Sequence, residues 1–212
     1  AYSYEIGNPN LDLEKSISYS LNTDYKTENI KLGAEIFYYD YSNYITPTAT
    51  GDTNFSTLLP IFRQVNIAAE LYGINLHSNI EFVESLSLNT NLNYTVGKQP
   101  NSNNNLPLIP PLSLNLNLSY KYSSWYFSIM GDMATSQEET GIFEERTNGY
   151  IAINTRVKKN LELDGNLLSV IFSINNITNE TYRNHLSRIL HVQNKVRIII
   201  WGASNSKYHQ RK

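Results

Sequence analysis

From Leu112 to Tyr122 the chain reads LSLNLNLSYKY, with Leu or Tyr at every even position and Ser, Asn or Lys at every odd one. Side chains of an extended strand alternate between its two faces, so this period of two builds a strand with one apolar and one polar side. The same rhythm recurs along the chain. Ile17, Tyr19, Leu21 and Tyr25 alternate with Ser18, Ser20, Asn22 and Asp24, and Leu86, Leu88 and Leu92 alternate with Ser87, Asn89 and Asn91. Further runs carry Trp125, Phe127 and Ile129, then Ile151, Ile153 and Val157, then Leu168, Val170, Phe172 and Ile174. Helical spacing is almost absent. The expected fold is therefore all-β: an antiparallel up-and-down meander of about nine strands.

Connections between these runs alternate in length. Short turns fall near residues 26–29, 82–85, 123–124 and 159–166, and long connections near 45–65, 97–110, 135–148 and 178–195. Successive connections of a meander emerge at opposite ends, so one end is smooth and the other carries every large loop, as in outer-membrane barrels. Pro110 and Pro111 are placed just before a strand because proline lacks the ladder donor. Val65, Ile67, Ala69 and Leu71 are out of phase with Tyr72 and Ile74, which predicts a bulge near Tyr72 and Gly73.

If this is a portion of a transmembrane β-barrel, the dry face is the outer one. Leu86, Leu88, Leu92, Leu112, Leu114, Leu116, Leu118, Phe127, Ile129, Ile151, Ile153, Val170 and Phe172 then face lipid. Asn89, Asn91, Ser113, Asn115, Asn117 and Ser119 face the lumen. Tyr and Trp near strand ends fit an aromatic girdle. Alternation also arises in a soluble β-sandwich binding module, where a second sheet covers the apolar face. An outer-membrane barrel of another class, such as a barrel enzyme, is the remaining alternative.

Composition narrows the chemistry. The 212 residues carry a net charge of -2 without a long basic run, so no nucleic-acid partner is expected. Without cysteine there is no disulfide framework, thiolate metal site or thiol nucleophile. No apolar run is long enough for a transmembrane helix, and the first residues, AYSYEIGNPN, do not read as a secretory signal. Neither a Gly-x-Ser-x-Gly elbow nor a His-Glu-x-x-His zinc pair is present. No catalytic residue, metal site or cofactor is expected, and the chain reads as a non-enzyme. His185 and His191 share one long loop and could touch haem or a metal chelate, or simply be solvated. Glu138, Glu139, Glu144 and Glu145 could form a cation site, or a solvated loop tip.

Four local motifs resemble one family. GNPNLDLEKS, from Gly7, is similar to the Gly-Asn-Pro-Asn-Leu-Lys-Pro-Glu-Lys-Ser segment of TonB-dependent outer-membrane receptors, departing at Asp12 and Leu13. NIAAELYGINL, from Asn66, resembles a strand of that family in which Asn and Ala precede Gly-Val-Glu. LPLIPPL, from Leu106, resembles its Leu-Pro-x-x-Pro strand start, and NNITNETY, with Asn176, Ile177, Asn179 and Tyr182, resembles its Asn-Leu-x-Asn-x-x-Tyr motif. The resemblance implies the C-terminal part of a barrel that in the family has about 22 strands. Residues 1–204 would be wall and loops, and residues 205–212 a polar, disordered tail without the family's terminal aromatic. It also implies a bacterial outer-membrane location, contact with membrane lipid, and TonB acting through an N-terminal plug not present in this chain. The implied cargo is a scarce nutrient such as a ferric siderophore, haem or cobalamin, bound as a small-molecule iron chelate or similar.

Overall fold

The computed structural model describes residues 3–102, 104–142, 144–163, 166–187 and 197–206. No described residue is helical. The strands are β1 (Tyr4–Ile6), β2 (Ser16–Lys26), β3 (Ile30–Asn54), β4 (Leu59–Val83), β5 (Leu86–Gln99), β6 (Asn104–Asn105), β7 (Ser113–Tyr122), β8 (Trp125–Ala134), β9 (Tyr150–Leu163), β10 (Asn166–Asn175) and β11 (Arg197–Ser206). One sheet holds them all. Its order, β2-β3-β4-β5-β7-β8-β9-β10-β11, follows the chain, with β1 pairing parallel to β4 and β6 pairing to β5. Every neighbouring pair along that path is antiparallel. The meander is open, with β2 and β11 at its edges.

The sandwich alternative fails on the apolar face. Leu21 is 68% exposed, Ile36 55% and Ile129 55%, so no second sheet covers them. Among the described residues few apolar side chains are buried, and three of those, Ala69, Leu106 and Ile109, cluster with Tyr41, Tyr44, Ile67 and Leu71 beside the long loops. The wall itself has no core, which in water would leave most of its apolar surface wet.

Two local expectations are corrected. Residues 45–65 are not a long loop: β3 and β4 run through them as a ribbon closed by a turn at residues 55–58. Asn54 builds that turn, its Oδ1 accepting Ser56 N–H at 3.1 Å and Thr57 N–H at 3.0 Å. Nor is the ladder broken at Tyr72 and Gly73, which pair in step with Tyr38 and Phe37. The extra residue is on the partner strand, between Tyr41 and Tyr44, opposite Ala69 and Ile67. Ile67, Ala69 and Leu71 therefore keep the parity of Gly73 and Asn75, and form an apolar patch at the top of the otherwise polar face. At the other end of the chain β11 continues to Ser206, two residues past 204, and residues 207–212 lie outside the described residues.

Candidate functional site

The site is a wall with two faces and a rim of loops. On the apolar face, register rows join Leu92, Leu114, Met133 and Ile151; Leu88, Leu118 and Ile129; and Leu86, Tyr120, Phe127, Val157 and Phe172. Leu116 meets Gly131 and then Ile153, Val170 meets Lys159, and Leu112 precedes β7 in the same phase. The residues expected to face lipid thus share one side. Charge bounds this band at both ends: Asp40, Glu70 and Lys98 form one row at the loop end, and Lys159 lies over Trp125 at 4.2 Å at the smooth end. Between those limits on β4, Tyr72 to Ile80 rises about 26 Å along the strand at ~3.3 Å per residue. A tilt of about 40° lowers that to roughly 20 Å, near the ~25 Å apolar band of an outer-membrane barrel. Tyr120, Trp125 and Phe127 stack at 6.1 to 6.3 Å where such a girdle belongs.

The opposite face is polar and internally bonded. Asn75 Nδ2 donates to Glu35 Oε2 at 2.9 Å, and Asn79 Nδ2 to Asn89 Oδ1 at 2.7 Å. Asp132 accepts from Asn115 at 2.9 Å and from Asn154 at 2.8 Å. Ser119 bonds Asn117 at 3.3 Å and Ser128 at 3.4 Å, while Asn91 and Ser113 take the same side in register with Asn115 and Asn93. The residues expected to face the lumen therefore share this side, and Phe37, Tyr39 and Tyr41 add a row of rings to it at 5.7 and 6.2 Å.

All four motifs lie at the rim and act structurally. Between β1 and β2 the chain crosses the base of the ribbon as a strap: Asn66 accepts Asp12 N–H at 2.7 Å, donates to Asp12 O at 3.2 Å and donates to Asn43 O at 3.0 Å. Asn8 donates to Gln64 O at 2.9 Å, and Glu14 accepts Ile45 N–H at 3.0 Å. Leu106 is 0% exposed, and with Ile109 it covers Gly97, where a Cβ would stand 2.6 Å from Ile109 Cδ1. Leu108, between them, takes φ 60°, which turns the loop so that both neighbours reach the wall. Gly73 fits because any Cβ there would strike the Tyr94 carbonyl. Asn176 and Asn179 adopt φ 52° and 51°, a conformation asparagine tolerates, and Asn176 Oδ1 accepts Glu180 N–H at 3.0 Å. Tyr182 stacks on Tyr150 at 4.0 Å.

The candidate ligand residues gather in the same rim but do not converge on one point. Glu138 pairs with Arg146 at 3.4 Å, Glu139 with Lys98 at 3.3 Å, and Glu145 with Arg183 at 3.1 Å. Glu144 is turned inward. Its Oε1 accepts Leu108 N–H at 2.9 Å, its Oε2 accepts Gly141 N–H at 3.0 Å, and His185 Nε2 lies 3.2 Å away. That last approach is an ion-pair distance with poor hydrogen-bond alignment, since Nε2 has no well-directed acceptor. His185 Nδ1 meets Thr147 Oγ1 at 3.1 Å, in a buried position. Gln137 closes the knot by donating to Ile109 O at 2.8 Å. His191 lies outside the described residues. Thr147, Gln137, Arg183 and Lys98 escaped the sequence reading because their partners are 28 to 41 positions away, and no periodicity reports such pairs.

One exposed apolar side, one polar side and a bonded loop rim define a segment of an outer-membrane-type barrel wall. A sequence model of the family described as "TonB dependent receptor-like, beta-barrel" matches residues 1–177, and the chain belongs to that family. Receptors of this family reside in the bacterial outer membrane and are transporters, not enzymes. No protein of curated function matches the sequence. Among solved structures, the copper transporter OprC aligns with TM-score 0.74 at 15% identity, covering 85% of this chain and 29% of its own. The ferric citrate transporter FecA, unliganded, aligns with TM-score 0.72 at 17% identity, covering 91% and 31%. The siderophore receptor PirA of Pseudomonas aeruginosa aligns with TM-score 0.68 at 19% identity, covering 96% and 32%. This chain thus spans about a third of the length of the structures it matches.

Proposed function

We propose that this chain supplies wall and outer loops to a receptor that carries a scarce, chelated metal nutrient across the outer membrane, driven by TonB acting through an N-terminal plug outside this chain. The support for this reading is the wall itself: an open, single-layered meander whose apolar side is uncovered, in a chain that belongs to the receptor barrel family. Structural neighbours that include a copper transporter, a ferric citrate transporter and a siderophore receptor favour a metal or metal chelate as cargo. Ferric siderophore, haem and cobalamin remain the candidate classes.

The outer loops would contact that cargo. Glu138, Glu139 and Glu145 are largely exposed, each beside a basic side chain, and could exchange that pair for a ligand group. Glu144 and His185 shape the surface from beneath. The test is growth on candidate iron chelates, haem and cobalamin in cells with and without the receptor gene. Rescue by one class, lost when TonB is removed, supports the reading. Uptake of every class unchanged by deletion of the receptor would overturn it.

A further inference from the structure

Three of the four glutamates in the residue 135–149 loop have a permanent cation beside them: Glu138 has Arg146, Glu139 has Lys98 and Glu145 has Arg183. The fourth does not. Among the described residues the one basic group within ion-pair distance of Glu144 is His185, 3.2 Å away through Nε2, and histidine is the side chain whose charge ordinarily changes between about pH 5 and 8. Both partners lie inside the rim, the His185 side chain 1% exposed and that of Glu144 14%. Asn184 turns the ring inward, its Oδ1 accepting Leu186 N–H and its carbonyl Ser187 N–H, each at 2.9 Å. Of the other titratable groups on the elements packed here, Glu180 is exposed, Tyr150 and Tyr182 stack on one another, and Asp132 is held by Asn115 and Asn154. The residue 104–112 loop has none.

A neutral His185 fits this setting badly. With its proton on Nδ1 the ring donates to Thr147 Oγ1 at 3.1 Å and turns a bare nitrogen lone pair on a carboxylate; with the proton on Nε2 the N–H has no well-directed acceptor. An imidazolium carries a donor on both nitrogens and attracts Glu144 whatever the alignment. We infer that His185 and Glu144 form a proton-operated latch on the outer loops, closed in an acidic medium and released as the pH rises. Glu144 also accepts Leu108 N–H and Gly141 N–H, so the charge of one ring is felt in three loops. The proton is held more firmly in the closed rim than after the loops open and water separates the pair. Closure is therefore favoured below the range in which histidine gives up its proton, and that advantage disappears above it. Burying the charge opposes this, and the expected net change in the opening equilibrium is about tenfold, the low end of what a charge-assisted bond gives. The latch concerns the shape of the loops and does not rest on which cargo they contact.

Amide hydrogen exchange tests it on the receptor expressed from its complete gene, in isolated outer membranes, at about pH 5.5 and about pH 8, each corrected for the intrinsic rate at that pH. Residues 104–112, 135–149 and 176–187 should all be about tenfold better protected at the lower pH, with β7 and β8 unchanged. His185→Gln and Glu144→Gln should each abolish the difference. Deuterium uptake at the imidazole Cε1 of His185, which follows that ring's own protonation, supplies a reading that needs no variant: its midpoint should coincide with that of the loops. Equal protection at the two pH values, greater protection at the higher one, a loop midpoint apart from that of His185, or a response that survives either substitution would overturn the inference. Growth on no candidate nutrient by a receptor whose loops respond as expected would count against the proposed function and leave the latch standing.

Discussion

Glu144→Ala should loosen three outer loops at once. The carboxylate is the shared acceptor of the residue 104–112 loop, through Leu108 N–H, and of the residue 135–149 loop, through Gly141 N–H, and it faces His185 of the residue 176–187 loop. Truncation leaves the Gly141 donor without its partner, at about 1–3 kcal/mol, while His185 Nε2, which already lacks a well-aligned acceptor, loses only the nearby carboxylate. Leu108 is exposed and its N–H can turn to water, which adds about 1 kcal/mol or less. The sum, about 1–4 kcal/mol, corresponds to roughly one to three decades in the local opening equilibrium. Amide hydrogen exchange of the membrane-embedded receptor reads it directly. Protection should fall together in all three loops, while β7 and β8, held by their own ladders, keep theirs. Glu144→Gln retains an acceptor and should lose about half as much. Faster exchange confined to residues 135–149 would refute the idea of one coupled knot.

Two further outcomes follow from the rim. Asn66→Ala removes two hydrogen bonds to Asp12 of the strap and a third to Asn43 of β3, so limited proteolysis should cut near residues 8–14 in the variant and not in the parent; equal resistance would contradict the role given to Asn66. Tyr182 ionises above its ordinary value of 10.0, first because it is buried and then because Asp132 is near. A raised folded-state value gives stability that is present below that ordinary value and lost as pH climbs through the raised one. Alkaline titration followed by ultraviolet absorbance should therefore show a late-ionising phenol that is lost in Tyr182→Phe, and unchanged titration of the variant would exclude Tyr182 as its source.

The wall was legible in the sequence because an apolar and a polar face impose opposite demands on adjacent residues. That is why Leu114 and Asn115, or Ile129 and Ser128, could be assigned from parity alone. The ribbon was not legible. Residues 45–65 carry Thr, Asn, Gly and Pro in the proportions of a loop, and their strand character comes from pairing across the hairpin and from the parallel contact with β1. The bulge was assigned to the wrong strand for a related reason. Apolar Ile67, Ala69 and Leu71 looked like a shift of phase, when in fact they sit on the polar face beneath Leu106 and Ile109. The acidic loop shows the same limit. Its glutamates were visible as a group, but only the fold shows that Glu144 turns inward while Glu138, Glu139 and Glu145 meet separate cations.

The central claim is that the Leu side of this sheet meets lipid and the Asn side does not. Single cysteines placed from Ser113 to Tyr120, labelled with an environment-sensitive fluorophore in the reconstituted receptor, test it residue by residue. Lipids carrying a quencher in the acyl chain should quench the probe at Leu114, Leu116 and Leu118, and leave it bright at Ser113, Asn115, Asn117 and Ser119. Equal quenching at odd and even positions, or the reverse pattern, would contradict the account.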